Sequence, residues 1–122
     1  MDATHPEGWL VACLCAAWCG TCNEYRAVFA AQAAARPELR FVWVDIEDES
    51  DALAPFDLDI ENFPTVLVAR GDELRFLGTL LPHAATLART VDAAREAVLV
   101  DRPADWGRGL VACVRDVGEP LR

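Results

Sequence analysis

The chain has 122 residues, of which 53% are hydrophobic and 25% are charged, so it can form one domain with a buried core. Its 20 acidic residues outnumber its 11 cations and give a net charge of −9, which argues against a nucleic acid partner. All 11 cations are arginines, which excludes a lysine Schiff base, and the longest apolar run, Trp9 to Trp18, is too short to span a membrane as a helix.

The first part of the chain predicts a β-α-β unit. The continuous apolar run from Trp9 to Cys15 is typical of a strand that is buried on both faces of a sheet. The alanine-rich segment Cys22 to Ala35 predicts a helix that ends at Arg36-Pro37, and Leu39 to Asp45 predicts a second strand. A helix between two strands favours a parallel pair with a right-handed crossover.

The middle of the chain predicts a short helix, a hairpin and a closing helix. The acidic segment Asp48 to Phe56 predicts the short helix. Thr65 to Ala69 and Glu73 to Thr79 predict an antiparallel hairpin, because only Arg70-Gly71-Asp72 separates them. Apolar residues at helical spacing predict the closing helix: Leu87, Val91, Ala94 and Val98. We therefore expect an α/β fold with a central mixed sheet flanked by helices.

We interpret residues 1–100 as one domain and residues 101–122 as a C-terminal extension. Pro103 suits the first position of a helix, and Gly118 suits its end. Apolar residues recur between them at helical spacing: Trp106, Leu110, Cys113 or Val114, and Val117. Gly107 and Gly109 weaken this helix, since each costs about 1 kcal/mol in a helix interior. The pattern nevertheless predicts an amphipathic helix that docks on the domain.

Four of the five cysteines lie between Cys13 and Cys22, unlike the spread-out cysteines of a small secreted disulfide scaffold. Residues 1–8 contain Asp2 and Glu7 and no cation, so they lack the features of a secretory signal. We therefore expect a cytoplasmic protein in which these cysteines form one local chemical site.

Cys19-Gly20-Thr21-Cys22 lies where the first predicted strand meets the first helix. Unpaired N–H groups and the positive end of the helix dipole stabilise a thiolate at the first cysteine. The second cysteine lies one helical turn further in, within reach of the first. These positions favour a redox-active dithiol in which Cys19 attacks a target disulfide and Cys22 resolves the mixed disulfide.

Two motifs in the sequence resemble the thioredoxin family. Trp18-Cys19-Gly20-Thr21-Cys22 is a variant of the family's Trp-Cys-Gly-Pro-Cys, and Asn62-Phe63-Pro64-Thr65-Val66 stands where the family has a cis-proline loop. The resemblance extends over roughly Trp9 to Val100. It implies a thioredoxin-like fold.

The resemblance also implies residue roles. Cys19 corresponds to the nucleophile, Cys22 to the resolving thiol and Trp18 to the surface beside them. Phe63 is expected to offer its backbone to a substrate peptide, and Pro64 to hold that backbone in place. The implied activity is that of a thiol–disulfide oxidoreductase without a bound cofactor or metal.

The implied partners are disulfide-containing proteins and a flavin-dependent reductase or another dithiol donor. Such a protein takes part in electron transport and in cell redox homeostasis. We expect neither nucleic acid nor a membrane among the partners.

The sequence departs from the family pattern in two places. The eight residues before Trp9 are too few for the strand and helix that usually precede the active-site strand. Cys13 occupies the position of a buried aspartate that helps to deprotonate the resolving thiol. These departures support a second hypothesis, a thioredoxin-fold protein-binding module with a vestigial dithiol. We also expect the C-terminal extension to cover surface that the missing elements would have covered.

A zinc or iron–sulfur site is an alternative use of the clustered cysteines. The spacing disfavours it, because Cys13 and Cys15 lie on one face of a strand and should point into the core. We expect these two residues to be small buried hydrophobes, and Cys113 to be a core residue as well.

Overall fold

A computed structural model describes residues 8–58, 60 and 64–121. The strands in this part of the chain are β1 (Trp9–Cys15), β2 (Leu39–Asp45), β3 (Thr65–Arg70), β4 (Glu73–Thr79) and β5 (Glu119–Pro120). The helices are α1 (Gly20–Ala35), α2 (Ser50–Leu53), α3 (Ala84–Glu96) and α4 (Ala104–Val117), and a 3-10 turn over Ala54–Phe56 continues α2. Within the described residues, no helix is both long enough and apolar enough to cross a membrane.

The strands form one mixed sheet in the order β4-β3-β1-β2-β5. β1 lies at its centre, parallel to β2 and antiparallel to β3. Six of the seven residues of β1 are buried, as its unbroken apolar sequence predicts. The predicted α/β architecture, a mixed sheet flanked by helices, is confirmed.

The structure differs from the predicted elements at a few positions. α1 begins at Gly20 rather than at Cys22, because Cys19 takes the N-cap position. α3 ends at Glu96, so Val98 lies beyond the helix and is 50% exposed instead of packing with its predicted face. β5 was not predicted, since a strand of two residues is too short to show alternation.

Alternation along β1 creates two apolar layers. Val11, Cys13 and Cys15 face the layer that contains α1 and α3. Leu10, Ala12 and Leu14 face the layer that contains α2 and α4. Because successive side chains of a strand point to opposite faces, the thiols of β1 share the α1 side of the sheet.

The C-terminal residues cover both a face and an edge of the sheet. Leu110, Val111 and Val114 of α4 are fully buried against the sheet. β5 pairs antiparallel with Val42 and Trp43 of β2, at what would otherwise be an open strand edge. The docking expected from the helical pattern of residues 103–117 is thus present, with Pro103 as N-cap and Gly118 as C-cap.

The two glycines of α4 lie where the helix approaches its neighbours most closely. A Cβ atom on Gly107 would stand 3.1 Å from Cβ of Leu74 in β4. A Cβ atom on Gly109 would stand 3.1 Å from Cε1 of Phe56 in the 3-10 turn. Because these two residues have no side chain, α4 can pack closely against β4 and the 3-10 turn. This packing offsets the poor helix propensity of glycine.

Arg115 joins α4 to the end of the sheet where β1 begins and where β3 turns into β4. Its guanidinium donates hydrogen bonds to the carbonyl oxygens of Gly8 and Gly71, which lie before β1 and in the β3–β4 turn. Burial lowers the pKa of Arg115 from its ordinary value. Gly71 has a φ of 59°, which suits the first turn position of a tight two-residue hairpin.

We predict that Leu110→Ala lowers the free energy of unfolding by about 2–5 kcal/mol, since it leaves a cavity between α4 and the sheet. Urea denaturation at one fixed redox condition measures the change. Leu99→Ala is the matched control, because Leu99 is 47% exposed and its truncation should cost less than about 0.5 kcal/mol. Equal stability of the two variants would contradict a buried role for α4.

Candidate active site

Cys19 lies at the junction of β1 and α1. Its backbone N–H donates to the carbonyl oxygen of Ala16 at 3.0 Å, which closes the turn after β1. Its backbone is extended, with φ −87° and ψ 119°, as an N-cap residue requires, and its side chain makes no capping hydrogen bond. The half-buried thiol is therefore free and stands at the positive end of the α1 dipole.

Cys22 is the third residue of α1 and forms a disulfide with Cys15, the last residue of β1. The two Cα atoms are 5.8 Å apart, and both residues are only 1% exposed. Cys15 is buried as predicted, but it is not an inert thiol. No local sequence pattern indicates this bond, because the first turn of α1 meets Cys15 only through tertiary packing.

The two cysteines of the predicted dithiol are therefore not bonded to each other in this structure. Cys19 carries a free thiol, and Cys22 is bonded to a different cysteine. The roles of nucleophile for Cys19 and resolving thiol for Cys22 stay predictions.

Cys13 lies beside the disulfide. Its Sγ is 3.4 Å from Sγ of Cys15, and Cys13 must be the hydrogen-bond donor because a disulfide sulfur carries no proton. Burial raises the pKa of Cys13 far above its ordinary value, and the charge of Arg26 only partly opposes this effect. Cys13 is thus held as a neutral S–H group directed at the disulfide.

Tyr25 lies on the buried face of α1. Its hydroxyl oxygen is buried and has no hydrogen-bond partner within the described part of the chain. Burial raises the pKa of Tyr25 above its ordinary value, and the nearby Cys13 makes a smaller contribution in the same direction. Tyr25 is therefore a neutral phenol, and no charge on this side chain acts on the sulfur atoms.

Two side chains hold the loop between β1 and Cys19. Trp18 is 67% exposed, and its indole N–H donates to a carboxylate oxygen of Glu47 at 2.7 Å. The side-chain amide of Asn23 donates to the carbonyl oxygen of Ala17 at 3.2 Å. Trp18 thus presents an aromatic surface beside Cys19, at the place where the sequence analysis expects a partner contact.

Pro64 lies at the same end of the sheet. It is buried and immediately precedes β3, whose Thr65 pairs with Leu14 of β1, next to Cys15. Its carbonyl oxygen accepts a hydrogen bond from the N–H of Leu80 at 3.0 Å. Phe63 lies outside the described residues, so its expected contact with a substrate backbone stays a prediction.

A groove of about 320 Å³ runs beside the loop that carries Cys19. Ala17 and Asn23 line it on the side of the loop. Its other side is formed mainly by carboxylates, those of Asp45, Asp48, Glu49 and Glu119, and also carries Arg26, which is paired with Glu119. The acidic segment was predicted only as a short helix, and no sequence pattern placed it near the cysteines.

Two of the four clustered cysteines, Cys15 and Cys22, are joined in a disulfide in this structure. No group of three or more His, Cys, Asp or Glu side chains in the described residues has the geometry to hold a metal ion. Cys113 lies far along the chain in α4, where its half-buried thiol donates to the carbonyl oxygen of Ala52 at 3.4 Å.

The family model described as thioredoxin matches residues 3–93, which contain the β1–α1 junction and Pro64. The chain belongs to the thioredoxin family. Membership of this family supports a thiol–disulfide oxidoreductase in general terms. The matched region ends before α4 and β5, so these two elements lie beyond the family match. A search of curated proteins finds no match.

Solved thioredoxin structures share this fold. Thioredoxin from Fasciola hepatica is 22% identical, with a TM-score of 0.63 over 73% of this chain and 84% of that chain. Mitochondrial thioredoxin 3 from Saccharomyces cerevisiae is 20% identical, with a TM-score of 0.62 over 74% of this chain and 82% of that chain. Thioredoxin f from spinach chloroplast is 22% identical, with a TM-score of 0.62 over 73% of this chain and 72% of that chain in its long form.

We predict that Cys19 is the first thiol to be alkylated near neutral pH. It is the partly exposed free thiol at the helix terminus, whereas Cys13 is fully buried and its raised pKa leaves almost no thiolate. Cys113 should react more slowly than Cys19, because burial and then the charges of Asp116 and Glu49 raise its pKa. Timed iodoacetamide labelling with peptide mass mapping measures the order. Modification of Cys13 before Cys19 would contradict this assignment.

Proposed function

We propose that this thioredoxin-family protein is a protein-disulfide reductase that acts through Cys19 and Cys22. One observation carries the proposal: a free, partly exposed thiol stands at the N-terminus of α1, one helical turn before a cysteine that forms disulfides. This arrangement supplies an accessible nucleophile and a protected second sulfur, which are the two groups that thiol–disulfide exchange requires.

The exchange begins at Cys19 in the fully reduced protein. The thiolate of Cys19, which stands at the positive end of the α1 dipole, attacks a partner disulfide and releases one partner sulfur as a thiolate. The Cys22 thiolate then attacks Sγ of Cys19, breaks the mixed disulfide and releases the second partner sulfur. Two electrons pass to the partner, and the two cysteine protons end on its two thiols.

We also propose a source of electrons and a cellular compartment for this reaction. A flavin-dependent reductase or another dithiol donor returns two electrons by the same exchange at Cys19, so the reaction requires no cofactor bound to this chain. We place the reaction in the cytoplasm, where thiols are kept reduced. This cycle makes the protein an electron carrier in cell redox homeostasis.

The partner is a disulfide-containing protein that docks beside Cys19. Trp18 offers an exposed aromatic surface, and Pro64 lies at the adjoining end of the sheet. The acidic side of the groove favours partners with cations near their disulfide. The net charge of −9 supports the exclusion of nucleic acid.

One observation favours a second candidate function, a protein-binding module with a vestigial dithiol. With Cys22 bonded to Cys15, Cys19 can join a partner but has no neighbouring thiol to release it. Dithiothreitol-driven reduction of a disulfide-bonded test protein separates the two candidates. The reductase accelerates this reaction, and Cys19→Ser returns the rate to the uncatalysed value. A wild-type protein without acceleration would favour the binding module.

We predict that Cys22→Ser accumulates partner proteins as stable mixed disulfides through Cys19. Removal of the resolving thiol leaves only external thiols to release each adduct. Non-reducing gels followed by mass spectrometry of the Cys19 peptide measure the adducts. The double variant Cys19→Ser/Cys22→Ser is the control and should capture none. Adducts with the same proteins in the double variant would contradict the role of Cys19 and place the exchange on another cysteine.

A further inference from the structure

We propose that Cys15 is a third redox-active cysteine, which takes Cys22 into a buried disulfide after each exchange and thereby restores the Cys19 thiol. The inference rests on the proposed reductase function and extends it by one residue and one step. Family membership does not supply this step, because the dithiol motif consists of Cys19 and Cys22 alone.

The placement of three sulfur atoms carries the inference. Cys22 occupies the third position of α1, one turn from Cys19 at the N-cap, and it is bonded to Cys15 at the end of β1. The Cα separation of 5.8 Å between Cys15 and Cys22 lies within the normal range for a disulfide. Cys22 therefore has one partner beneath it in the sheet and another at the helix terminus. It can bond to only one of them at a time.

The added step is an internal thiol–disulfide exchange. After partner reduction, the Cys15 thiolate attacks Sγ of Cys22 in the Cys19–Cys22 disulfide. The Cys15–Cys22 bond forms, the Cys19–Cys22 bond breaks, and Cys19 leaves as a thiolate that takes up the proton lost by Cys15. No electrons enter or leave in this step, so the oxidation state of the protein is unchanged.

Cys13 assists the exchange from the neighbouring position on the same face of β1. Its S–H group is 3.4 Å from the sulfur of Cys15 and donates toward it. When Cys15 leaves as a thiolate in the reverse step, this donor already faces the developing negative charge. The contact gives Cys13 a positioning role. Cys13 occupies the position where the thioredoxin family has a buried aspartate.

The buried bond makes Cys19 the entry point for re-reduction. Cys15 and Cys22 are each 1% exposed, so an external thiol cannot reach either sulfur directly. Cys19 is partly exposed and one helical turn from Cys22, and only its attack on Cys22 can return the disulfide to the surface. The oxidised protein thus keeps a free surface thiol, which a protein with two redox-active cysteines does not.

Disulfide mapping of the oxidised full-length protein tests the proposal. Glutathione disulfide oxidises the reduced protein, acid stops the exchange, and free thiols are alkylated. Trypsin is unsuitable because the first cation is Arg26, which leaves all four clustered cysteines in one peptide. Cleavage after Trp18 by chymotrypsin separates Cys13 and Cys15 from Cys19 and Cys22, so a disulfide between the two pairs keeps the fragments linked and the alkylated cysteines show which two residues are bonded.

We expect linked fragments in which both Cys13 and Cys19 are alkylated in the wild-type protein. Cys15→Ala should give unlinked fragments with Cys19 and Cys22 bonded to each other, and Cys113→Ser should match the wild type. If the buried bond is favoured about tenfold, Cys15→Ala raises the midpoint potential by about 30 mV, because each tenfold change in a two-electron couple corresponds to 29.6 mV. Cys19→Ser should slow reduction of the buried disulfide by dithiothreitol on the order of tenfold or more, since access controls the rate.

A Cys19–Cys22 bond with an alkylated Cys15 in oxidised wild-type protein would overturn this inference and leave the reductase proposal intact. This result is measured in the wild-type protein, so it does not require any variant to fold. Conversely, linked fragments together with no acceleration in the reduction assay would overturn the reductase proposal, and the three-cysteine cycle with it.

Discussion

Burial of β1 on both faces is the constraint on which the rest of the structure depends. The strand is hydrogen-bonded to β2 on one side and to β3 on the other, and helices cover it above and below. Its register therefore cannot slip by one residue without exchanging the two apolar layers. This constraint keeps Cys13 and Cys15 on the α1 side of the sheet, and β1 ends at Cys15, four residues before the N-cap Cys19.

Cys22 lies between the buried sheet and the thiol at the helix terminus. Its side chain belongs to the buried face of α1, so it meets Cys15, yet it is only one turn from the surface thiol of Cys19. The buried environment favours neutral sulfur, as the raised pKa of Cys13 illustrates, whereas Cys19 stands half-buried at the helix terminus. The structure therefore holds a disulfide in the core and a free thiol at the helix terminus.

The C-terminal residues complete the domain outside the region that matches the family. α4 buries Leu110 and Val114 on the face opposite the cysteines, and β5 closes the edge of β2. An open edge of this kind would offer unpaired N–H and carbonyl groups to another chain. The glycines that weaken the helix in isolation allow its close approach to β4 and the 3-10 turn, so tertiary packing overrides local propensity here.

The sequence by itself determined the order of strands and helices, the apolar core of β1 and the location of the cysteine site, because these depend on periodicity and short-range spacing. The end of α3 before Val98 and the two-residue β5 were missed, since neither leaves a periodic signal. Only the tertiary structure decided which sulfur Cys22 bonds. That choice depends on how α1 packs over the end of β1, a contact between segments whose distance no local pattern records.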